Sequence, residues 1–211
     1  YGLLDLVENL IAIESEVRGA LGNGVQSFLV VVGDTMPQVD HLADHYEIVE
    51  HLRELEERTP DFEVGMPTRF REWQFRKRID VGAQFFVTGP VLDPETVEPQ
   101  LSQLNIKDDD PPIYLMIIPP FSTGWVSQME SMGAVPARPE FKAAIDDHDV
   151  GARRDVAWGY ALEAERRARD AGASGVVLMG LRFETIIDEA AGVWRAARPA
   201  ADPTAASGTT P

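Results

Sequence analysis

Phe70-Arg71-Glu72-Trp73-Gln74-Phe75-Arg76-Lys77-Arg78-Ile79-Asp80-Val81-Gly82-Ala83-Gln84-Phe85-Phe86-Val87-Thr88-Gly89-Pro90-Val91-Leu92-Asp93 is the stretch on which the fold turns. It opens as an amphipathic basic helix, crosses a Gly-Ala hinge, runs through an apolar segment of strand length and ends in a polar Thr-Gly turn. That is one helix-to-strand step. In an α/β barrel the end of such a strand is where side chains face the site.

Outward from this stretch the same step recurs. Towards the N-terminus, Leu3 to Val7 closes a strand or opens a helix, and the residues leave both open. Glu8 to Leu21 has helical spacing and stops at Gly22-Asn23-Gly24. Val25 to Val32 reads as a strand buried on both faces. Val39 to Arg58 reads as a helix with Leu42, Tyr46, Val49, Leu52 and Leu55 on one side, and Phe62 to Met66 as a short strand that Pro67 ends. Towards the C-terminus, a helix is expected over Glu95 to Leu104, a solvated turn at Lys107 to Asp110 and an apolar strand over Ile113 to Ile118. Trp125 to Met132 and Phe141 to Ile145 are helical. Asp155 to Ala171 follows as a helix with Val156, Tyr160, Leu162 and Ala168 inward, then a strand from Gly175 to Met179 and a helix from Phe183 to Trp194. From Arg198 the composition turns to Pro, Ala, Ser, Thr and Gly, which predicts a barrel domain over 1–197 and a disordered tail over 198–211.

Alternating apolar strands and helices give an open doubly wound sheet or a closed barrel. No glycine-rich nucleotide motif follows the first clear strand, and a (β/α)8 barrel of the TIM type is the expected fold. At 211 residues the chain is short for a barrel of about 250. It begins at Tyr1, which suggests residues upstream.

Composition narrows the chemistry. There is no cysteine, so thiolate metal sites and Cys nucleophiles are excluded. No apolar run approaches the about 18 residues of a membrane span, and a cytoplasmic protein without a membrane partner is expected. The net charge of −16, from 35 acidic and 19 basic residues, argues against nucleic acid as a partner. Lysine is confined to Lys77, Lys107 and Lys142. That bias fits adaptation to high salt or a GC-rich genome.

The order of motifs resembles the methylenetetrahydrofolate reductase family from about Glu14 to Trp194. The family's Gly-led strand ending in Gly-Asp corresponds to Gly24 through Gly33-Asp34, and its Tyr-Pro-Glu to Met66-Pro67-Thr68. Its helix, hinge, strand and Thr-Gln correspond to Phe70 through Thr88-Gly89. Pro112 through Pro119, Val135-Pro136 and Gly175 through Leu181-Arg182 match its later motifs. The resemblance implies a barrel seen from about the third strand onward. The family's proton-donating Glu would lie on a strand before Tyr1.

The resemblance also implies roles. Asp34, after Gly33, would orient the pterin near the cofactor; a turn Asp that caps the next helix is the plainer reading. Thr88 and Gly89 would lie against the pterin, although Gly89 replaces the family's Gln. Phe121 would stack on the benzoyl ring and Arg182 would hold the glutamate, or they are a packed aromatic and a helix-start Arg. Gln74, Lys77 and Arg78 would hold the ribityl and phosphate groups of flavin adenine dinucleotide, or form a salt-bridged helix face. His41, Asp44 and His45 have zinc-like spacing without a third ligand, so a solvated helix face is the reading and no metal is expected.

The function implied is hydride transfer to a reduced folate or related pterin in one-carbon metabolism. Gly89 and a shortened loop before the basic helix leave open a deazaflavin or nicotinamide donor, or a folate-dependent methyl transferase. A non-catalytic barrel subunit, a homo-oligomer or a partner chain that completes the barrel is the reading of another class.

Overall fold

Six strands form one sheet in the order β1-β2-β3-β4-β5-β6, and every neighbouring pair is parallel. They are β1 (Gly2–Leu4), β2 (Ser27–Val30), β3 (Glu63–Thr68), β4 (Phe85–Thr88), β5 (Ile113–Ile117) and β6 (Gly175–Leu178). Between and after them run α1 (Leu10–Gly22), α2 (His45–Glu56), α3 (Glu72–Asp80), α4 (Val97–Ser102), α5 (Thr123–Ser131), α6 (Pro139–Asp146), α7 (Val150–Asp170) and α8 (Glu184–Ala197). The computed structural model describes residues 2–4, 10–31, 44–59, 62–179 and 184–197.

The strand order identifies the architecture. A doubly wound sheet reverses its order at a switch point, and there is no reversal here. Parallel crossovers are right-handed almost without exception, so crossovers that all step in one direction put every helix on one side of the sheet. That is the arrangement of successive units of a (β/α)8 barrel, and the chain forms a partial one.

Burial along the strands agrees. Phe28, Val30, Val64, Met66, Phe86 and Leu115 alternate with their neighbours and share one core with Ile13 of α1, Leu52 of α2, Phe75 of α3 and Leu101 of α4. The opposite face is the inner one. There the Phe85 ring lies over Gly65, where a Cβ would come within 2.4 Å of it, and the Tyr114 ring lies over Gly175, where a Cβ would come within 3.2 Å. The two rings meet edge to face at 6.4 Å, so the inner face is filled across strands by an aromatic leaning on a glycine.

Local signals behave as their chemistry dictates. Gly82 takes φ +95 after α3, a left-handed conformation that costs glycine little, and reverses the chain into β4. Asp44 caps α2 by accepting from the amides of Tyr46 and Glu47, while the Glu47 side chain returns to the Asp44 amide. No helix among the described residues is long and apolar enough to cross a membrane.

Several expectations are corrected. β2 is not buried on both faces: Phe28 and Val30 are buried, but Ser27 and Leu29 are half-exposed on the inner face. β3 does not end at Pro67. Glu63 N–H points to β2 and Val64 C=O to β4, so by alternation the missing N–H of Pro67 faces β2, whose pairing has already stopped at Gly65. The 107–110 turn is not simply solvated: Lys107, Asp108 and Asp109 are exposed, but the Asp110 side chain is turned in and pairs with Arg76. α7 starts earlier than Asp155 and turns inward an alanine stripe, Ala157, Ala161, Ala164 and Ala168, whereas Val156, Tyr160 and Leu162 are half-buried. The tail expected over 198–211 lies outside the described residues.

Candidate functional site

The strands end at Val30, Thr68, Thr88, Ile117 and Leu178, so these residues share one rim. The rim has two unlike halves. Over β4 and β5, Leu92 and Ile118 are buried in a second small core with Val126 and Met129 of α5 and Phe141 and Ile145 of α6. This layer is tied down by Asp93, whose 1% exposed carboxylate accepts from Arg138 Nε at 2.7 Å, from the Arg138 amide at 3.2 Å and from the Glu95 amide at 3.0 Å. The hydrogen bond that Arg138 donates to Asp93 is the main cause that raises its guanidinium pKa above the usual range.

Over β3 the rim is basic, and no second core of this kind lies over it among the described residues. α3 runs back from the β3 tip and presents Lys77 and Arg78 towards the start of α2. The Lys77 ammonium stands 4.0 Å over the Tyr46 ring, and the Tyr46 and His45 rings are 4.0 Å apart. Arg78 Nη1 reaches Thr68 Oγ1 at 3.5 Å, at the end of β3. Arg69 is close enough to Arg78 to depress its pKa, but burial is the larger cause, and Tyr46 acts against both. Burial likewise lowers the His45 pKa; Asp44 opposes the shift, and Arg78 and Lys77 add to it.

Two features mark this half as a place for a ligand. Among the described residues Arg69, Lys77 and Arg78 have no carboxylate within ion-pair distance, as is also true of Arg71, Lys107, Arg153 and Arg195, whereas Arg18, Arg53, Arg58, Arg76, Arg138, Lys142, Arg154, Arg166, Arg167 and Arg169 each have one. What distinguishes the three is proximity: Arg69 acts on Arg78, and Arg78 and Lys77 both act on His45, in a chain with 35 acidic residues. Second, Gln74 Oε1 and Arg78 Nε, one helical turn apart, are both buried without a hydrogen-bond partner, as are Arg53 Nη1 and Arg76 Nε; the Arg78 Nε–H is a donor that an anion would satisfy, whereas the Gln74 oxygen calls for a donor. The arrangement suits an anion: two guanidinium forks, one ammonium and an amide that can hydrogen-bond beside it. It therefore fits the phosphate of a cofactor.

The residues singled out from sequence are distributed as follows. Gln74, Lys77 and Arg78 lie together at the basic rim. Thr88 is buried at the β4 tip, where its hydroxyl donates to the Gly89 carbonyl at 2.9 Å and accepts from the Met116 amide at 3.1 Å, so it extends the ladder to β5. Gly89 sits at the same tip with open space where a side chain would be. Phe121 is turned to the helix layer, its ring edge to face with Trp158 of α7 at 5.4 Å. Gly33, Asp34, His41 and Arg182 lie outside the described residues, and Asp44 serves as the α2 cap. Among the described residues no three His, Asp or Glu gather as a metal site would require. Tyr46 and Arg69 were not legible as site residues, because they join the cluster from other elements, and His45, read from its spacing as part of a solvated helix face, is half-buried beside Tyr46 instead.

No family model and no curated protein matches the chain. Solved structures similar to it include a mandelate oxidase variant with benzoyl-formic acid, 16% identical with a TM-score of 0.39 over 81% of this chain and 58% of that one. A dihydropteroate synthase of Burkholderia cenocepacia complexed with 7,8-dihydropteroate is 13% identical with a TM-score of 0.36, over 92% of this chain and 89% of that one. A citrate synthase variant, SbnG, is 14% identical with a TM-score of 0.40, over 93% and 81%. The chain spans 58% of the length of the mandelate oxidase, and the likeness is one of fold alone.

Proposed function

We propose that this chain is a barrel oxidoreductase that transfers hydride to a reduced folate or related pterin, in the manner of the methylenetetrahydrofolate reductases its motifs resemble. The observation that carries the reading is the group of Arg69 and Arg78 at the β3 tip and Lys77 beside Tyr46, which among the described residues have no carboxylate partner, with Arg78 Nε buried and unpartnered. Phosphate-bearing hydride donors need such a group, and the C-terminal rim of a barrel is where it serves a reaction.

In this reading the donor, a flavin, a deazaflavin or a nicotinamide, supplies the hydride when bound. Arg78 and Lys77 hold its phosphate and fix its position. The open space at Gly89 lets a flat ring approach the β4 tip. By the resemblance, Asp34 orients the pterin, Arg182 holds its glutamate and Gly33 gives the cofactor room.

The test is an anaerobic assay of pterin-dependent oxidation of reduced flavin, reduced deazaflavin, NADH and NADPH, with a visible spectrum of the purified protein. One donor is expected to turn over, and Arg78→Gln is expected to raise its KM by about tenfold, as loss of a charge-assisted contact does. Methylenetetrahydrofolate that leaves every donor unoxidised would overturn the proposal.

A further inference from the structure

The crossover from β5 to β6 has more helix than a barrel unit needs. α7 does the work of covering the sheet, since its Trp158, Ala161, Ala164 and Ala168 belong to the main core. Among the described residues no buried side chain of α5 or α6 is in that core; Val126, Met129, Phe141 and Ile145 gather in a separate one over Leu92 and Ile118. The two helices are therefore an extra hairpin, set between a strand end and its barrel helix on the face where barrel enzymes keep their chemistry.

This hairpin is fastened differently on its two sides. Within it, Glu130 of α5 accepts from Lys142 Nζ of α6 at 2.6 Å and from the Ala137 amide at 2.7 Å, so the helices are braced to each other. Its stems meet where Thr123 Oγ1 donates to Asp146 at 2.9 Å, and Arg153 of α7 donates to the His148 carbonyl at 2.7 Å. On the α7 side the Phe141 and Tyr160 rings are 4.7 Å apart. On the β4 side the fastening is mostly polar and sits at one spot. There Arg138 donates to Asp93 and reaches Glu95 at 2.7 Å, while Val135 rests against the main core and donates its amide to the Pro90 carbonyl at 2.9 Å.

A body braced within itself and held at its stems swings as a unit once the contacts on its far side part. We propose that α5 and α6 form a hinged cap on the barrel mouth and that the Asp93–Arg138 pair is its latch. The Asp93 side chain is 1% exposed and that of Arg138 42%, so the pair has one half sealed by closure and one half that water reaches. Opening uncovers Leu92 and Ile118 beyond the ends of β4 and β5, and closing shuts water out of them. The inference goes beyond the hydride-transfer reading and holds whatever ligand the mouth takes.

The chain has no cysteine, so a single introduced thiol reports the opening of its own site. Leu92→Cys places one under the cap and Ala164→Cys one in the main core; both positions are 1% exposed. Each is treated in native buffer with a soluble aromatic disulfide, and its rate is divided by that of the unfolded chain. The Leu92→Cys thiol is expected to react about tenfold or more faster than the Ala164→Cys thiol, because the cap opens below the free energy of global unfolding. Adding Arg138→Gln is expected to speed the Leu92→Cys reaction by about tenfold, since a charge-assisted contact broken on opening is gone. Adding Glu130→Ala removes a brace that a swinging cap keeps, and should leave that rate within about twofold. Ile118→Cys serves under the cap where Leu92→Cys fails to fold, and Asp93→Asn is the second latch variant. Equal rates at the two thiols, a rate under the cap indifferent to loss of the latch, or one raised as much by Glu130→Ala would overturn the inference; the last would mean that the helices melt rather than swing.

Discussion

The arginines of α7 and the cations of the rim between α2 and α3 belong to one acidic chain and are treated in opposite ways. On α7, Arg166 and Arg167 each reach Glu163 at 2.7 Å, Arg169 reaches Glu165 at 2.8 Å, and Arg154 pairs with Glu189 on α8. Hydrogen bonds from Arg166 and then Arg167 draw the Glu163 pKa down to about 2. At the rim no carboxylate is within reach among the described residues, and burial, the opposite influence, weakens the charged state of Arg78. Exposed ion pairs add little to stability, so the α7 network mainly neutralises charge in place. A half-buried guanidinium with an unpartnered Nε is a cost that packing does not explain, and an anion from outside the chain would offset it.

If that contrast is real, substitutions should separate the two kinds of charge. The largest effect is expected at the most fully paired carboxylate. Asp93→Ala should lower the unfolding free energy by about 3 kcal/mol in urea titration, since it removes a buried partner of Arg138 and the cap of the turn at Pro94. Arg78→Gln should do the reverse of a normal buried-charge loss. Stability is expected to stay within about 0.5 kcal/mol of the parent or to rise, because no native ion pair is broken, while anion binding falls.

Smaller effects sharpen the picture further. Glu163→Gln should cost only a few tenths of a kcal/mol at pH 7, as roughly expected of an exposed network. The folded pKa of Glu163 lies below its ordinary 4.5, so its contribution is present above 4.5 and fades as pH falls through about 2. Parent and variant should therefore converge in acid melts. His45 is the subtlest case. Its folded pKa is below the ordinary 6.5, so between those two values the unfolded chain binds the proton and the folded chain does not. Stability should fall as pH drops below 6.5, and His45→Gln should flatten that slope. A bound anion favours the protonated imidazole and should flatten it too.

Much of the fold was readable because its determinants are local. The basic helix, Gly82 hinge and apolar Phe85–Thr88 segment form α3 and β4 as their spacing predicts. Strand faces were less legible. The apolar run at Phe28 to Val32 gives no hint that Leu29 meets a partly open inner face, and Pro67 ends a strand only where its missing N–H is needed. The small-residue face of α7 was masked by larger residues that turn sideways. Of the candidate cluster, the proximity of Gln74, Lys77 and Arg78 was legible because they lie on one helix. His45 and Tyr46 are about 30 positions away in sequence and join them only through the barrel crossover. Phe121 shows the converse, since a strand-end aromatic can turn outward as readily as inward, and here Trp158 receives it.

The central claim is that cations at the β3 tip with no carboxylate partner among the described residues wait for an anion. It is tested most directly by following side-chain ¹⁵Nε–Hε signals of the arginines by nuclear magnetic resonance while pyrophosphate is added. Saturable movement of Arg78, with Arg154 and Arg166 still, is the predicted result. Signals that all drift together with ionic strength, or an Arg78 resonance that does not move, would contradict it.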